Sequence, residues 1–253
     1  MAAAMSERPL AVVRQEADVR RRAAEAHAFR LALSDESRVN IIAEFKRASP
    51  SLGEIRGGAN AVEMAKTYAA GGAAALSVLT EEDFFRGSLR DLLEVKAAVS
   101  LPVLRKDFLF DPYQVFEAAS AGADAVLLIA AALDDETLGR LRTVAEDELG
   151  LDALVEVHTH AEMRRAARAG ARLIGVNNRD LRTFKVSLET SIEAAADAPP
   201  DALLVSESGL RQPSDIKRLH ACGYRAFLIG ETLMRAADPA RALRGLIEGG
   251  VGL

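Results

Sequence analysis

The sequence contains one cysteine, no tryptophan and no long apolar run. The cysteine count and the short apolar runs exclude several classes of protein. A single cysteine, Cys222, excludes an internal disulfide and a metal site built from several cysteines. Cys222 precedes Gly223 near a predicted helix end, so we expect it to be a small packing residue. Lys and Arg number 32 against 37 Asp and Glu, a net charge of −5, which argues against nucleic acid or an anionic membrane as a partner.

The apolar stretches are also too short to span a bilayer. The N-terminal ten residues, MAAAMSERPL, lack the apolar core of a secretory signal. We therefore expect a soluble cytoplasmic protein. At 253 residues with 49% hydrophobic content, the chain can bury a full core as one domain. The sequence does not determine the oligomeric state, and a monomer is compatible with it.

Eight short apolar runs are present, and each predicts a buried strand. The runs are Val39–Phe45, Ala74–Thr80, Leu101–Phe108, Ala125–Ala130, Asp152–His158, Leu173–Asn178, Ala202–Ser208 and Ala226–Gly230. Successive runs begin about 20–35 residues apart, which leaves room for one strand, one helix and two short loops. Helical patterns at Ala61–Ala70, Tyr113–Ala121 and Ala161–Ala169 lie between them. Near-continuous apolar runs favour parallel strands covered by helices.

Eight strand–helix units in about 250 residues predict a closed (β/α)8 TIM barrel. A doubly wound open sheet is the alternative, but it usually has fewer strands and a GxGxxG turn after the first, which is missing here. Arg14–Ala32 predicts one helix. We expect residues 1–38 to form a helical extension packed on the barrel and residues 39–253 to form the catalytic barrel. A merely solubilising extension is the alternative for the first segment.

Most of these runs end in polar or charged residues, which are costly to bury unless paired or used. They are Glu44, Lys46, Lys106, Glu156, Asn177 and Glu207. Side chains alternate along a strand, so Ile42 shares a face with Glu44 and Lys46, and Leu104 shares one with Lys106. If the apolar residues point into the barrel, the polar ones meet at the carboxyl-end mouth, where barrel enzymes have their active sites.

Two ammonium groups, three carboxylates and an amide at one mouth suit general acid–base chemistry. Neighbouring cations and loss of water lower the pKa of a lysine, and apolar surroundings raise that of a carboxylate. Two other uses compete: a Glu44–Lys46 pair that only fills the mouth, and a metal site. Lysines at the same mouth argue against a metal. His158 and His160 are expected to share a face, but little else supports them as ligands.

Glycines after strands seven and eight predict a phosphate site. The segments are Ser206-Glu207-Ser208-Gly209 and Gly230-Glu231-Thr232, the second of which opens a helix. Glycine turns at this position leave backbone N–H groups free to surround a phosphate. After strand one, the polar loop of residues 47–53 contains Pro50 and would cover a ligand with Ser49 and Ser51 as donors. An ordinary loop is the alternative.

Seven motifs containing these residues occur in order along the chain. They are EFKRASPS (44–51), LTEEDFFRGS (79–88), LRKDF (104–108), VEVH (155–158), GVNNRDL (175–181), SESG (206–209) and LIG (228–230). Together they resemble the indole-3-glycerol-phosphate synthase family of tryptophan biosynthesis over about residues 39–235. That family has a (β/α)8 barrel with an added N-terminal helical segment.

The resemblance implies cyclisation of 1-(2-carboxyphenylamino)-1-deoxyribulose 5-phosphate to indole-3-glycerol phosphate with loss of CO2 and water. No metal or organic cofactor is implied. Lys106 matches the acid that neutralises the oxyanion, and Lys46 matches the second catalytic lysine, which also holds the substrate carboxylate. Glu44 and Glu156 match carboxylates that take or shuttle protons. The division of the dehydration steps among Lys46, Glu44 and Glu156 stays open.

The resemblance also implies binding residues. Asn177 and Glu207 match groups that position the ribulose hydroxyls, and Arg179 matches a contact to the anthranilate carboxylate. The phosphate-binding stretch corresponds to Ser208, Gly209, Gly230 and Glu231. Glu231 stands in place of a serine, so we expect its backbone N–H to serve while its carboxylate points away. Phe85 and Phe108 are expected to line the slot for the aromatic ring.

Three other functions compete with this one. A Schiff-base aldolase would use Lys106 or Lys46 as a nucleophile. Phosphoribosylanthranilate isomerase is a related barrel that commonly uses a cysteine and an aspartate, but Cys222 lies before strand eight, at the wrong end of the barrel. A barrel that binds a phosphorylated metabolite without converting it is the non-catalytic alternative.

Overall fold

The computed structural model describes residues 8–22, 24–180 and 182–250. Eight parallel strands form a closed barrel in chain order, with β1 paired to both β2 and β8. They are β1 Asn40–Phe45, β2 Ala75–Leu79, β3 Val103–Lys106, β4 Ala125–Ile129, β5 Asp152–Val157, β6 Leu173–Asn177, β7 Leu203–Glu207 and β8 Ala226–Ile229. The predicted barrel is confirmed, and every strand begins and ends within two residues of its predicted run.

Helices precede the barrel and connect its strands. They are α1 Leu10–Arg22, α2 Ala28–Ala32, α3 Ala61–Ala70, α4 Leu89–Ala98, α5 Pro112–Ala121, α6 Asp135–Thr143, α7 His160–Arg168, α8 Glu189–Ala194, α9 Pro213–His220, α10 Glu231–Arg235 and α11 Pro239–Gly250. A π-helical turn, Val144–Glu148, continues α6, and a short 3-10 turn, Ala195–Asp197, continues α8. Among the described residues, no helix is both long and apolar enough to cross a membrane.

Two apolar layers sit on either side of the strands. The inner layer fills the barrel and includes Ile42, Leu104, Leu127, Leu154, Leu173 and Val205. The outer layer packs the opposite strand faces against the helices, with Ile41, Val103 and Val155 among its members. This alternation follows from the two-residue period of a strand. The predicted inward faces of β1 and β3 are therefore confirmed.

The segment before β1 differs from the prediction of one helix over Arg14–Ala32, which is wrong. Two helices, α1 and α2, are separated by a turn in which His27 has a φ of 56°. The turn lets α2 bury Phe29 and Leu33 in the inner layer, at the amino end of the barrel. The backbone N–H of Arg30 donates to Asp152 Oδ2 over 2.8 Å. A straight helix could not both pack α1 on α5 and close the barrel in this way.

Candidate active site

A cavity at the carboxyl end of the barrel brings the predicted site residues together. Its volume is about 360 Å³. Every predicted site residue lines it: Glu44, Lys46, Ser49, Ser51, Phe85, Lys106, Phe108, Glu156, Asn177, Arg179, Glu207, Ser208, Gly209, Gly230 and Glu231. Leu127 and Leu228 belong both to its lining and to the inner apolar layer. The cavity therefore stands directly on the packed interior of the barrel.

Lys106, at the end of β3, lies at the centre of the polar cluster. Its Nζ lies 2.9 Å from Glu156 Oε2 and 2.7 Å from Glu207 Oε2. The amide of Asn177 donates to the other oxygen of Glu156 over 3.1 Å. Both carboxylates are buried. Four strand ends, those of β3, β5, β6 and β7, thus place one ammonium group between two carboxylates.

The pKa of Lys106 is raised rather than lowered. Burial lowers it, but the carboxylates of Glu156, Glu207 and Glu44 outweigh that effect. We expected neighbouring cations and loss of water to lower the pKa of a lysine at this mouth. For Lys106 that expectation is wrong, because carboxylates face its ammonium group. An ammonium group held in this way stays protonated and can donate to an oxygen placed beside it.

The two carboxylates on Lys106 differ in proton affinity. Burial raises the pKa of Glu207 to about 7, and the charge of Glu156 adds to the rise, although Lys106 opposes it. Burial also acts to raise the pKa of Glu156, but Lys106, His158 and Asn177 bring it below its ordinary value. Neighbouring carboxyl groups with separated pKa values serve as proton donor and acceptor in acid–base sites. Glu156 is thus the ionised member of the pair.

The second lysine forms its own pair with a carboxylate. Lys46 Nζ lies 2.5 Å from Glu44 Oε1. Glu44 is buried, whereas the Lys46 side chain is 18% exposed. A Cβ built on Gly230 would overlap Glu44 Oε1, and one on Gly175 would overlap Glu207 Oε1. Glycine at these two positions therefore leaves space for the carboxylates.

The loop after β7 exposes backbone to the cavity. Ser208 and Gly209 have φ values of 68° and 84°, and a Cβ on Gly209 would overlap Val186 Cγ1. The amide of Asn178 donates to the carbonyl of Ser208 over 3.1 Å and holds the loop. Within the described ranges, the backbone N–H of Gly209 has no protein acceptor. The loop is therefore fixed while at least one of its donors is free.

Aromatic and charged side chains surround the opening. The rings of Phe85 and Phe108 lie 6.5 Å apart at an angle of 52°. The carboxylate of Glu231 lies 3.6 Å from Arg179 and 3.7 Å from Arg235. It thus faces two arginines at the mouth of the cavity.

Comparisons with known proteins agree with this geometry. A model of the indole-3-glycerol phosphate synthase family matches residues 1–246. A protein of that name from Verminephrobacter eiseniae (strain EF01-2) is 47% identical over 251 residues, covering 97% of this chain and 94% of its own. Another of that name, from Carboxydothermus hydrogenoformans, is 51% identical over 213 residues, covering 84% of this chain and 80% of its own.

The chain belongs to the indole-3-glycerol phosphate synthase family. It is therefore a carboxy-lyase of tryptophan biosynthesis. Among solved structures, 3-hexulose-6-phosphate synthase from Salmonella typhimurium has a TM-score of 0.67 at 17% identity, covering 82% of this chain and 96% of its own. At that identity the likeness shows the barrel fold alone.

Several residues that line the cavity were not predicted from the sequence. Phe184 and Val186, in the loop after β6, line the cavity and remain 45% and 37% exposed. Glu81 lines it too, and its carboxylate accepts the backbone N–H groups of Phe84 and Phe85, which fixes the loop that carries Phe85. An apolar pair in a polar loop was the available signal for Phe184 and Val186.

The two histidines after β5 do not share a face, so that expectation was wrong. The strand ends at Val157 and α7 begins at His160. His158 lies beside Glu156, whereas His160 is exposed and pairs with Asp197 over 2.8 Å. Cys222 is half-buried against the outer apolar layer.

The cover of the cavity after β1 is a small hairpin. Its strands are Ala48–Ser49 and Gly53–Glu54. The hydroxyls of Ser49 and Ser51 lie 3.4 Å apart. Arg47 holds the base of the hairpin through two hydrogen bonds to Asp91, of 2.6 and 2.8 Å.

Proposed function

We propose that this cavity closes the indole ring of indole-3-glycerol phosphate by general acid–base catalysis. The substrate is 1-(2-carboxyphenylamino)-1-deoxyribulose 5-phosphate, and Lys106, Lys46, Glu44 and Glu156 exchange the protons. The observation that carries the assignment is the buried Lys106 ammonium group between two carboxylates of different proton affinity. Residues 39–253 form the catalytic unit in this proposal, and residues 1–38 are a helical extension packed on the barrel. No metal or organic cofactor takes part.

Ring closure requires one proton donor. The ring carbon that bears the carboxylate attacks the C2 carbonyl, and the carbonyl electron pair moves to oxygen. Lys106 delivers a proton to that oxygen as the charge develops. The bond to the carboxylate then breaks, CO2 leaves, and its electron pair restores the aromatic ring. Because the pKa of Lys106 is raised, this donor is loaded before substrate binds.

Dehydration requires a second donor and a base. The C2 hydroxyl leaves as water after it receives a proton, and C1 loses a proton to form the ring double bond. Lys46, paired with Glu44 over 2.5 Å, is the second donor. Glu156 is the base because its pKa lies below the ordinary value, so it is ionised. Two protons are delivered and one removed, so each turnover of the carboxylate substrate takes up one proton.

Binding groups surround these catalytic ones. The free N–H of Gly209, with Ser208 and the Gly230–Glu231 turn, would hold the phosphate. Arg179 would hold the substrate carboxylate, for which it must part from Glu231, now 3.6 Å away. Phe85 and Phe108 offer a slot for the aromatic ring.

The test is the fluorescence of the purified protein mixed with this substrate in buffer containing EDTA. Since the chain has no tryptophan, an indole signal is readily seen. The expected result is a growing signal with one CO2 released and one proton taken up per product. Folded protein that gives no signal would contradict the proposal. Trapping of a lysine–substrate imine with borohydride would instead indicate a Schiff-base enzyme.

A further inference from the structure

An imidazole that is mostly shielded from solvent, with 13% of its side chain exposed, lies against the carboxylate that we assign as the base. His158 Nε2 lies 3.5 Å from Glu156 Oε1, and His158 Nδ1 lies 3.4 Å from Glu162 Oε2. Both ring nitrogens are shielded from solvent and have no well-aligned hydrogen bond in the described chain. The imidazole thus lies between two carboxylates at distances that suit charge pairing more than directed hydrogen bonding.

Glu162 fixes the outer side of this arrangement. Its carboxylate accepts the backbone N–H of His158 over 2.7 Å. Its own backbone N–H donates to Thr159 Oγ1 over 3.2 Å, at the N-cap of α7. Glu162 is therefore held by the start of the helix, and it holds His158 in turn.

His158 is not among the residues that line the cavity, and Glu156 is the cavity residue that its ring contacts. The charged groups around it are Glu162 from α7, Glu156 from β5, Glu207 from β7 and, beyond Glu156, Lys106 from β3. Burial lowers the pKa of His158, but Glu162, Glu156 and Glu207 outweigh it and raise that pKa above its ordinary value. An imidazolium is the form these surroundings favour.

We propose that His158, held by Glu162, is a positioning residue that keeps Glu156 ionised and directed at Lys106. The proposal rests on the acid–base function above and adds a second layer to it. Glu156 Oε2 contacts Lys106, while Oε1 accepts from Asn177 and faces His158. With a cation on each side, the carboxylate is fixed before substrate arrives, as acid–base groups oriented by a third residue are.

The test compares His158→Asn with a matched control, His160→Asn, which changes an exposed histidine two positions further along the chain. For His158→Asn we expect kcat to fall about tenfold or more. Loss of a residue that supports a metal ligand typically lowers activity by about 10- to 100-fold, and the lower end of that range is our guide here. KM should stay within about twofold, because His158 is outside the cavity. The acid limb of kcat/KM should move to higher pH, since Glu156 loses one of its cations. His160→Asn should match wild type.

Glu162→Gln provides a second variant should His158→Asn fail to fold. Gln retains an acceptor for the His158 backbone N–H but removes the charge that faces the imidazole. We expect the alkaline limb of the pH profile to move to lower pH, because the pKa of His158 falls. If every variant that folds keeps the wild-type kcat and pH profile, the positioning role is wrong. A change in melting temperature alone would likewise contradict it.

The two proposals fail in different ways. Wild-type protein that forms no indole product contradicts the acid–base function before any variant is compared. Wild-type protein that forms product, with His158→Asn indistinguishable from His160→Asn, contradicts only the positioning role.

Discussion

Strand β5 carries a buried carboxylate at each end, and the two have opposite surroundings. Asp152 begins the strand and Glu156 lies four residues later on the same face. Asp152 is fully buried, and Glu156 is 3% exposed. His27 Nδ1 lies 3.2 Å from Asp152, and Glu156 Oε2 lies 2.9 Å from Lys106 Nζ.

The difference lies in what covers each carboxylate. At the amino end, α2 covers Asp152 and seals the barrel with Phe29 and Leu33. At the carboxyl end, Glu156 borders a cavity of about 360 Å³. A buried charge costs free energy unless it is paired. The closed end uses its ion cluster to hold the chain together, whereas the open end keeps its cluster available to a substrate.

Glu156→Gln should have the largest effect and should act on catalysis. We expect kcat to fall about 100- to 10,000-fold, the contribution of a general base. The fold should survive because Lys106 keeps Glu207 as a partner. Initial rates of indole formation, compared with the melting temperature, check this. A variant within tenfold of wild type would remove Glu156 from the mechanism.

Asp152→Ala should show the reverse pattern. The variant loses the carboxylate that accepts the Arg30 backbone N–H, and a hydrogen bond to a charged group is worth about 1.5–3 kcal/mol of unfolding free energy. The kcat per folded molecule should stay within about twofold, because the cavity is at the opposite end. Urea unfolding and rate measurements, with the exposed Asp201→Ala as control, test this. A stable variant with low kcat would break the division between the two ends.

Glu207→Gln should change how stability depends on pH. The ordinary pKa of 4.5 is raised to about 7 in the folded chain. Between these values the unfolded chain ionises Glu207 and the folded chain does not, so wild type loses stability as pH rises. Wild type should therefore lose stability relative to Glu207→Gln as pH rises through that window. Urea unfolding from pH 4 to 8 measures it, and a constant difference between the proteins would contradict the raised pKa.

Ser51→Ala should have the smallest effect. If the hydroxyl donates to bound substrate, its loss costs about 1 kcal/mol, or roughly a fivefold rise in KM. Neither kcat nor the melting temperature should change. Ser100→Ala, an exposed serine before β3, is the control. Equal KM values for the two variants would remove the hairpin from substrate binding.

The barrel and the location of its site were predictable because both follow from local periodicity. Apolar runs marked the strands, and alternation placed Lys106 and Glu156 on the inward face. The turn at His27 was not predictable, since it depends on Asp152, whose bond to Arg30 spans 122 positions. The direction of the Lys106 pKa shift was also missed. Strand alternation placed both lysines at one mouth, but it did not show that Lys46 pairs with Glu44 while three carboxylates face Lys106.

The most direct test of the account is the turnover of Lys106→Ala beside that of Lys66→Ala, an exposed lysine on α3. We expect Lys106→Ala to lose about 100- to 10,000-fold in kcat, because the oxyanion has no donor. Substrate binding by calorimetry should stay close to wild type, whereas the melting temperature should fall, because Glu156 and Glu207 lose the ammonium group between them. Lys66→Ala should be fully active. A Lys106→Ala protein that forms indole at nearly the wild-type rate would contradict the central assignment.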